Sequence, residues 1–155
     1  MAKRHSMPIK MINGFNEDKL FILYAYLCRY EHKIKGINTL KELTSMYPNL
    51  HKLESLISSF SCNIVKRESM PAMGLLALPN ILYMTNSKNS KVLSFLTHIR
   101  NSIAHGQIMK EKDYIHIIDY SENKNTKEKI YTARGKVEIL KIEAILDLVI
   151  ENVEL

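Results

Sequence analysis

Arg100, Asn101 and His105 fall within six consecutive residues of the stretch RNSIAHG. Each suits phosphate chemistry. Arginine presents a fixed fork of donors matched to phosphate oxygens and stays charged at any relevant pH. Histidine changes protonation near neutrality, so it can take or give a proton. Asparagine supplies a donor and an acceptor for orientation. RNA carries its own nucleophile, the 2′-hydroxyl. One His, one Arg and one amide can therefore promote attack of that hydroxyl on the adjacent phosphate without a metal. No carboxylate pair accompanies the trio in sequence, which argues against two-metal hydrolysis.

The element that must hold them is KVLSFLTHIRNSIAH. The polar stretch NSKNS (86–90) supplies its cap and Gly106 stops it. At roughly 100° per residue, with Arg100 at zero, Asn101 falls near 100°, Ala104 near 40° and His105 near 140°. Val92, Leu96, Ile99 and Ile103 centre near about 290°. The trio thus lies opposite the apolar stripe, facing water, another helix or a second subunit. Ala104 inside the polar arc is small enough to let a backbone or ligand approach. His98, about 200° from Arg100, is placed outside the trio.

The remaining pattern is mostly helical. Asn16-Glu17-Asp18 opens a helix through LFILYAYLCRYEHKIK to Gly36. Asn38-Thr39 begins a short helix ending before Pro48, and LHKLESLISSF forms a third. MPAMGLLALPN (70–80) reads as a buried loop or irregular helix. YIHIIDY (114–120) and KIYTARGKV (129–137) are β-rich and make a hairpin around a polar turn. EILKIEAILDLVIENV closes the chain as an amphipathic helix. These elements predict one all-α domain over 1–155, a helical bundle with a small β-hairpin inserted before the C-terminal helix.

Composition sets outer bounds. The net charge is +6 and uneven: residues 1–112 hold 16 Lys+Arg against 7 Asp+Glu, and residues 113–155 hold 6 against 9. A basic body with an acidic tail suits a polyanionic partner. Lys66, Arg67, Lys110 and Lys112 are candidate contacts to an RNA backbone. LFILYAYLC is too short to cross a bilayer, and MAKRHSMPIKM has no apolar run behind its basic residues. Cytoplasmic residence with no membrane partner follows as the expectation. Cys28 and Cys62 have no ligand spacing, so they are expected as two reduced, largely buried thiols with no metal and no cofactor. Tyr24, Tyr26 and Tyr30 read as core or interface.

RNSIAHG also resembles the signature of the HEPN superfamily: an Arg, then Asn, Asp or His, then His after four to six intervening residues late in a helix. The resemblance implies a helical bundle that dimerises so that two motifs face each other. It further implies metal-independent endoribonuclease activity, often in toxins or antiphage effectors. Arg100 would then stabilise the phosphate, Asn101 orient substrate or His105, and His105 move protons. Toxins of the superfamily that pair with nucleotidyltransferase antitoxins carry a Tyr two residues after the His. Gln107 stands there instead, which argues against that pairing. An antitoxin or regulatory protein of another kind stays open, as does a non-catalytic RNA- or nucleotide-binding or protein-interaction role. The 114–137 hairpin is left as a lid, a dimer arm or an antitoxin-binding element.

Overall fold

The computed structural model describes residues 12–71 and 78–155. Helix α1 (Glu17–Arg29) starts where Asn16 accepts the Lys19 N–H at 3.0 Å, with Glu17 and Asp18 at the positive end of the dipole. It continues into a π-helical turn, Tyr30–Ile34. Helix α2 (Leu40–Met46) opens with a reciprocal cap: Thr39 accepts from the Glu42 N–H, and Glu42 accepts from the Asn38 N–H. The expected third helix is broken. Residues Pro48–Lys52 form a 3-10 turn, and only Leu53–Ile57 (α3) is α-helical.

The all-α expectation is wrong. Strands β1 (Ser61–Ile64), β2 (Ile81–Met84), β3 (Met109–Glu111), β4 (Tyr114–Glu122) and β5 (Lys129–Glu138) form one five-stranded sheet in the order β1-β2-β5-β4-β3. β1 and β2 run parallel and the other neighbours antiparallel. The hairpin is therefore the centre of a mixed sheet, and the fold is mixed α/β. Its free edge recruits β2, with Leu82 opposite Gly135 and Met84 opposite Ala133. β1 and β2 have four residues each and β3 has three. Such lengths show too little alternation to distinguish a strand from a loop or helix end. In the apolar stretch 70–80, residues 72–77 lie outside the described part. Asn80 forms a turn at φ +61° and exchanges two hydrogen bonds with Glu138 at the end of β5.

One sheet face is buried. Cys62, Leu82, Met84, Ile115, Ile117, Ala133 and Val137 alternate with half-exposed neighbours, and the helices pack on that side. Helix α4 (Lys91–Ala104) is the central helix, with nine of its fourteen residues buried. Tyr26 of α1 donates its hydroxyl to the Leu96 carbonyl at 2.6 Å, and Tyr30 meets the Thr97 hydroxyl at 2.8 Å. Those two buried tyrosines are core, as their spacing predicts, whereas Tyr24 is exposed. Helix α5 (Ile139–Asn152) lies along α1, joined by the Lys19–Glu143 ion pair and by Arg29 Nε to the Ile150 carbonyl. Among the described residues no helix is long and apolar enough to cross a membrane. Cys62 is buried, but Cys28 is exposed on the outer side of α1, against the expectation of two buried thiols.

Candidate active site at the end of helix α4

Ser90 starts α4 by accepting the Leu93 N–H, and the helix ends with His105 as its C-cap and Gly106 at φ +66°. Glycine reaches that conformation without Cβ strain, which is why the helix stops there. The last turn thus presents Arg100, Asn101 and His105 at one end of the central helix.

Arg100 and Asn101 are joined in a continuous polar chain. Arg100 Nε donates to Glu31 Oε1 in an ion pair. Arg100 Nη1 donates to Asn101 Oδ1 at 2.8 Å. Asn101 Nδ2 donates to Asp119 Oδ2 at 3.0 Å. That same oxygen accepts from His98 Nδ1 at 2.9 Å, while His98 Nε2 lies 2.8 Å from the Thr85 carbonyl. Both ring nitrogens of His98 thus face oxygens, one on the sheet and one on the backbone after β2, so the ring is held from both sides. The amide of Asn101 has its orientation fixed from both ends. Arg100 is left with Nη2 and one Nη1 hydrogen that meet no acceptor among the described residues.

The electrostatics follow the contacts. Burial alone would raise the Asp119 carboxyl, but hydrogen bonds from His98 and Asn101 and the nearby imidazole outweigh it and hold it below its ordinary range. Glu31 behaves alike: burial pushes upward, and the Arg100 guanidinium with Lys35 brings it down. Both carboxylates remain anions at neutral pH, Glu31 held by Arg100 and Asp119 by the hydrogen bonds from His98 and Asn101.

Three local irregularities bring these groups together. Glu31 sits in the π-helical turn, where the Lys35 N–H reaches the Tyr30 carbonyl at 2.8 Å. Such turns shift the facing of the residues they contain. Asp119 precedes the register shift of the β4–β5 pair, where Asp119 opposes Ala133 but Tyr120 opposes Tyr131. The extra residue, Thr132, donates its hydroxyl to the Asp119 carbonyl at 3.2 Å. The third irregularity is the helix end itself.

His105 stands apart from this chain. Its ring is exposed, and among the described residues it makes no side-chain hydrogen bond. The structure therefore brings Arg100 and Asn101 into contact and leaves His105 beside them, open to solvent. The turn that carries it is fastened to β4. Gln107 Oε1 accepts the Tyr120 N–H at 3.1 Å, and its Nε2 reaches the Tyr120 carbonyl at 3.4 Å. Ser102 Oγ accepts the Ile118 N–H at 3.3 Å. β3 covers β4 only over Tyr114–His116, so these side chains satisfy the rest of that strand edge. Gln107 is thus a structural clamp.

The other candidate cations divide. Lys110 lies on β3 and Lys112 in the β3–β4 turn at φ +55°. Lys66 and Arg67 are exposed at the Arg67–Ser69 3-10 turn, which packs beside β5.

Glu31, His98 and Asp119 were missed by the sequence reading. For two of them a signal existed. His98 lies three residues before Asn101, about 60° away on the helix, although it is far from Arg100. Asp119 continues the inward parity of Ile115 and Ile117, so a carboxylate stands on an apolar strand face. Glu31 had no such signal, because the π-helical turn moves it off the ordinary helical period.

The model of the family described as HEPN pEK499 p136 matches residues 9–154. No curated protein and no solved structure matches the chain.

Proposed function

The chain belongs to the HEPN pEK499 p136 family, and from that membership we propose that it is a metal-independent endoribonuclease whose site is completed across a homodimer. The observation that carries the reading is the division of labour at the end of α4. Arg100 is fixed by Glu31 and Asn101 with donors left over, and His105 beside it is exposed and uncommitted.

In this reading the spare donors of Arg100 hold a non-bridging phosphate oxygen and stabilise charge as it builds there. The 2′-oxygen bonds to phosphorus and the bond from phosphorus to the 5′-oxygen breaks. His105 accepts the 2′-hydroxyl proton, and the imidazolium of the second copy's His105 protonates the departing 5′-oxygen. The products are a 2′,3′-cyclic phosphate and a 5′-hydroxyl. Asp119 and His98 act only through Asn101, so they are positioning residues. A cytoplasmic toxin or antiphage effector is the role that fits such an activity.

The test pairs wild type with His105→Ala on a mixed RNA pool in EDTA, both checked for folding by circular dichroism. Cleavage by wild type alone, with cyclic phosphate ends, is the expected result. Equal cleavage by the variant sinks the mechanism. RNA binding by both proteins with no new ends replaces it with a binding role.

A further inference from the structure

The sheet face turned away from the helices carries three tyrosines, each with a cation over its ring. Lys129 Nζ lies 4.7 Å from the Tyr120 ring centre, the Arg134 guanidinium 3.8 Å from that of Tyr131, and Lys136 Nζ 5.1 Å from that of Tyr114. Tyr120 and Tyr131 are cross-strand partners with ring centres 5.4 Å apart. A groove of about 290 Å³ runs beside them, walled by Arg67, Lys129, Tyr131 and Arg134. It shares Arg67 with a wider groove of about 530 Å³, whose walls include Lys66, Thr85 and Thr132. Glu68 and Glu128 also line these grooves, but the cations outnumber them.

Both ends of this surface adjoin residues that support the candidate site. Tyr120 is the strand position that Gln107 clamps to the His105 turn. Thr85 lines the wider groove while its carbonyl holds His98.

We infer that this face is a track for single-stranded RNA leading to His105, an inference that rests on the ribonuclease reading. Cations alone would suit any polyanion. Rings and a guanidinium plane interleaved with cations suit unstacked bases joined by phosphates. A duplex keeps its bases stacked and offers the rings nothing. An acidic peptide would use the cations and ignore the rings.

The experiment uses the His105→Ala protein, which leaves RNA uncut, and follows fluorescence anisotropy of a labelled mixed-sequence 12-nucleotide single strand. Tyr131→Ala is expected to weaken binding about tenfold, the scale of losing one stacked base, and Tyr131→Phe to restore it. The exposed pair Arg67→Glu with Lys129→Glu, which leaves the core untouched, is expected to weaken binding and flatten its salt dependence. The same sequence as a duplex should bind more weakly and not respond to Tyr131→Ala.

Unchanged affinity in both the ring variant and the charge variant overturns the track. So does competition by polyglutamate as effective as by RNA, which would assign the face to an acidic protein. The two readings fail separately. Wild type that cuts RNA while the track variants bind normally loses only the track. A chain that never cuts, but whose variants lose single-stranded RNA, loses only the ribonuclease reading.

Discussion

His98 and Asn101 donate to one oxygen, Oδ2 of Asp119, from positions three residues apart on α4. The helix that carries the motif is thereby pinned to strand β4 by a buried carboxylate. Arg100 inherits that order through Asn101.

Removing the carboxylate should be costly. Asp119→Asn keeps the shape but removes the carboxylate that His98 and Asn101 both face, in a site where His98 and Asp119 are almost fully buried. Each hydrogen bond to a buried carboxylate contributes about 1.5–3 kcal/mol, and two are weakened here. The carboxyl is held below its ordinary range when folded, so its contribution is complete above the unfolded value of about 3.9 and disappears as pH falls through the native one. Urea unfolding should show a constant gap between wild type and variant from about pH 6 to 5, narrowing below about pH 4. A gap that stays constant down to pH 2 would count against this pair as the source.

The same residues show what a sequence can and cannot disclose. The arc opposite the apolar stripe was legible, and Arg100 and His105 do escape the core. What the arc faces was not. Ser94, His98 and Ser102 recur every four residues beside it and are all buried. Such a polar stripe signals packing on something polar, here the ends of β2 and the edge of β4. Short strands hid that partner: β1 and β2 pair in parallel across a 16-residue connection (65–80), and no local pattern specifies such a pairing. The hairpin was visible because nine and ten residues of alternation suffice. Its role as the centre of a sheet was not, because that depends on who pairs with its edges.

The thiols provide a direct check on the packing of the outer helix face. Cys28 is exposed on α1, while Cys62 is buried on β1 against Met84 and its thiol is pushed up to about 11 by burial. A thiolate-directed reagent at pH 8 should modify one cysteine within minutes in the native protein and the second only in denaturant. Two fast equivalents in the folded protein would mean that β1 is not packed as described.

Gln107→Ala should loosen the motif from the sheet. The substitution removes two hydrogen bonds and leaves the Tyr120 N–H and C=O at an unpaired strand edge. The net loss is about 1–3 kcal/mol, modest beside Asp119→Asn because the edge is half-exposed. The diagnostic reading is local. Hydrogen exchange at the Tyr120 amide should accelerate strongly, while amides in the middle of α4 change only by the global loss. Uniform acceleration across α4 would show that Gln107 supports the whole helix and not the His105 turn.

Glu31→Gln separates the charge on Arg100 from its orientation. In the protein as folded, Glu31 offsets one guanidinium charge and holds Nε. The amide still accepts a hydrogen bond but no longer neutralises charge or fixes the fork as firmly. A phosphate approaching Arg100 then meets a fuller positive charge, so RNA should bind more tightly at low salt. The guanidinium is less well held, so the transition state gains less from it than the ground state does. Under the ribonuclease reading KM should fall several-fold while kcat falls about tenfold, a loss of roughly 1.4 kcal/mol in the bound complex. Because Glu31 stays ionised well into acid, the ratio of the two proteins should not vary between about pH 6 and 8. A rise in KM with unchanged kcat would reverse the assignment, placing Glu31 among the groups that bind RNA and not among those that orient Arg100.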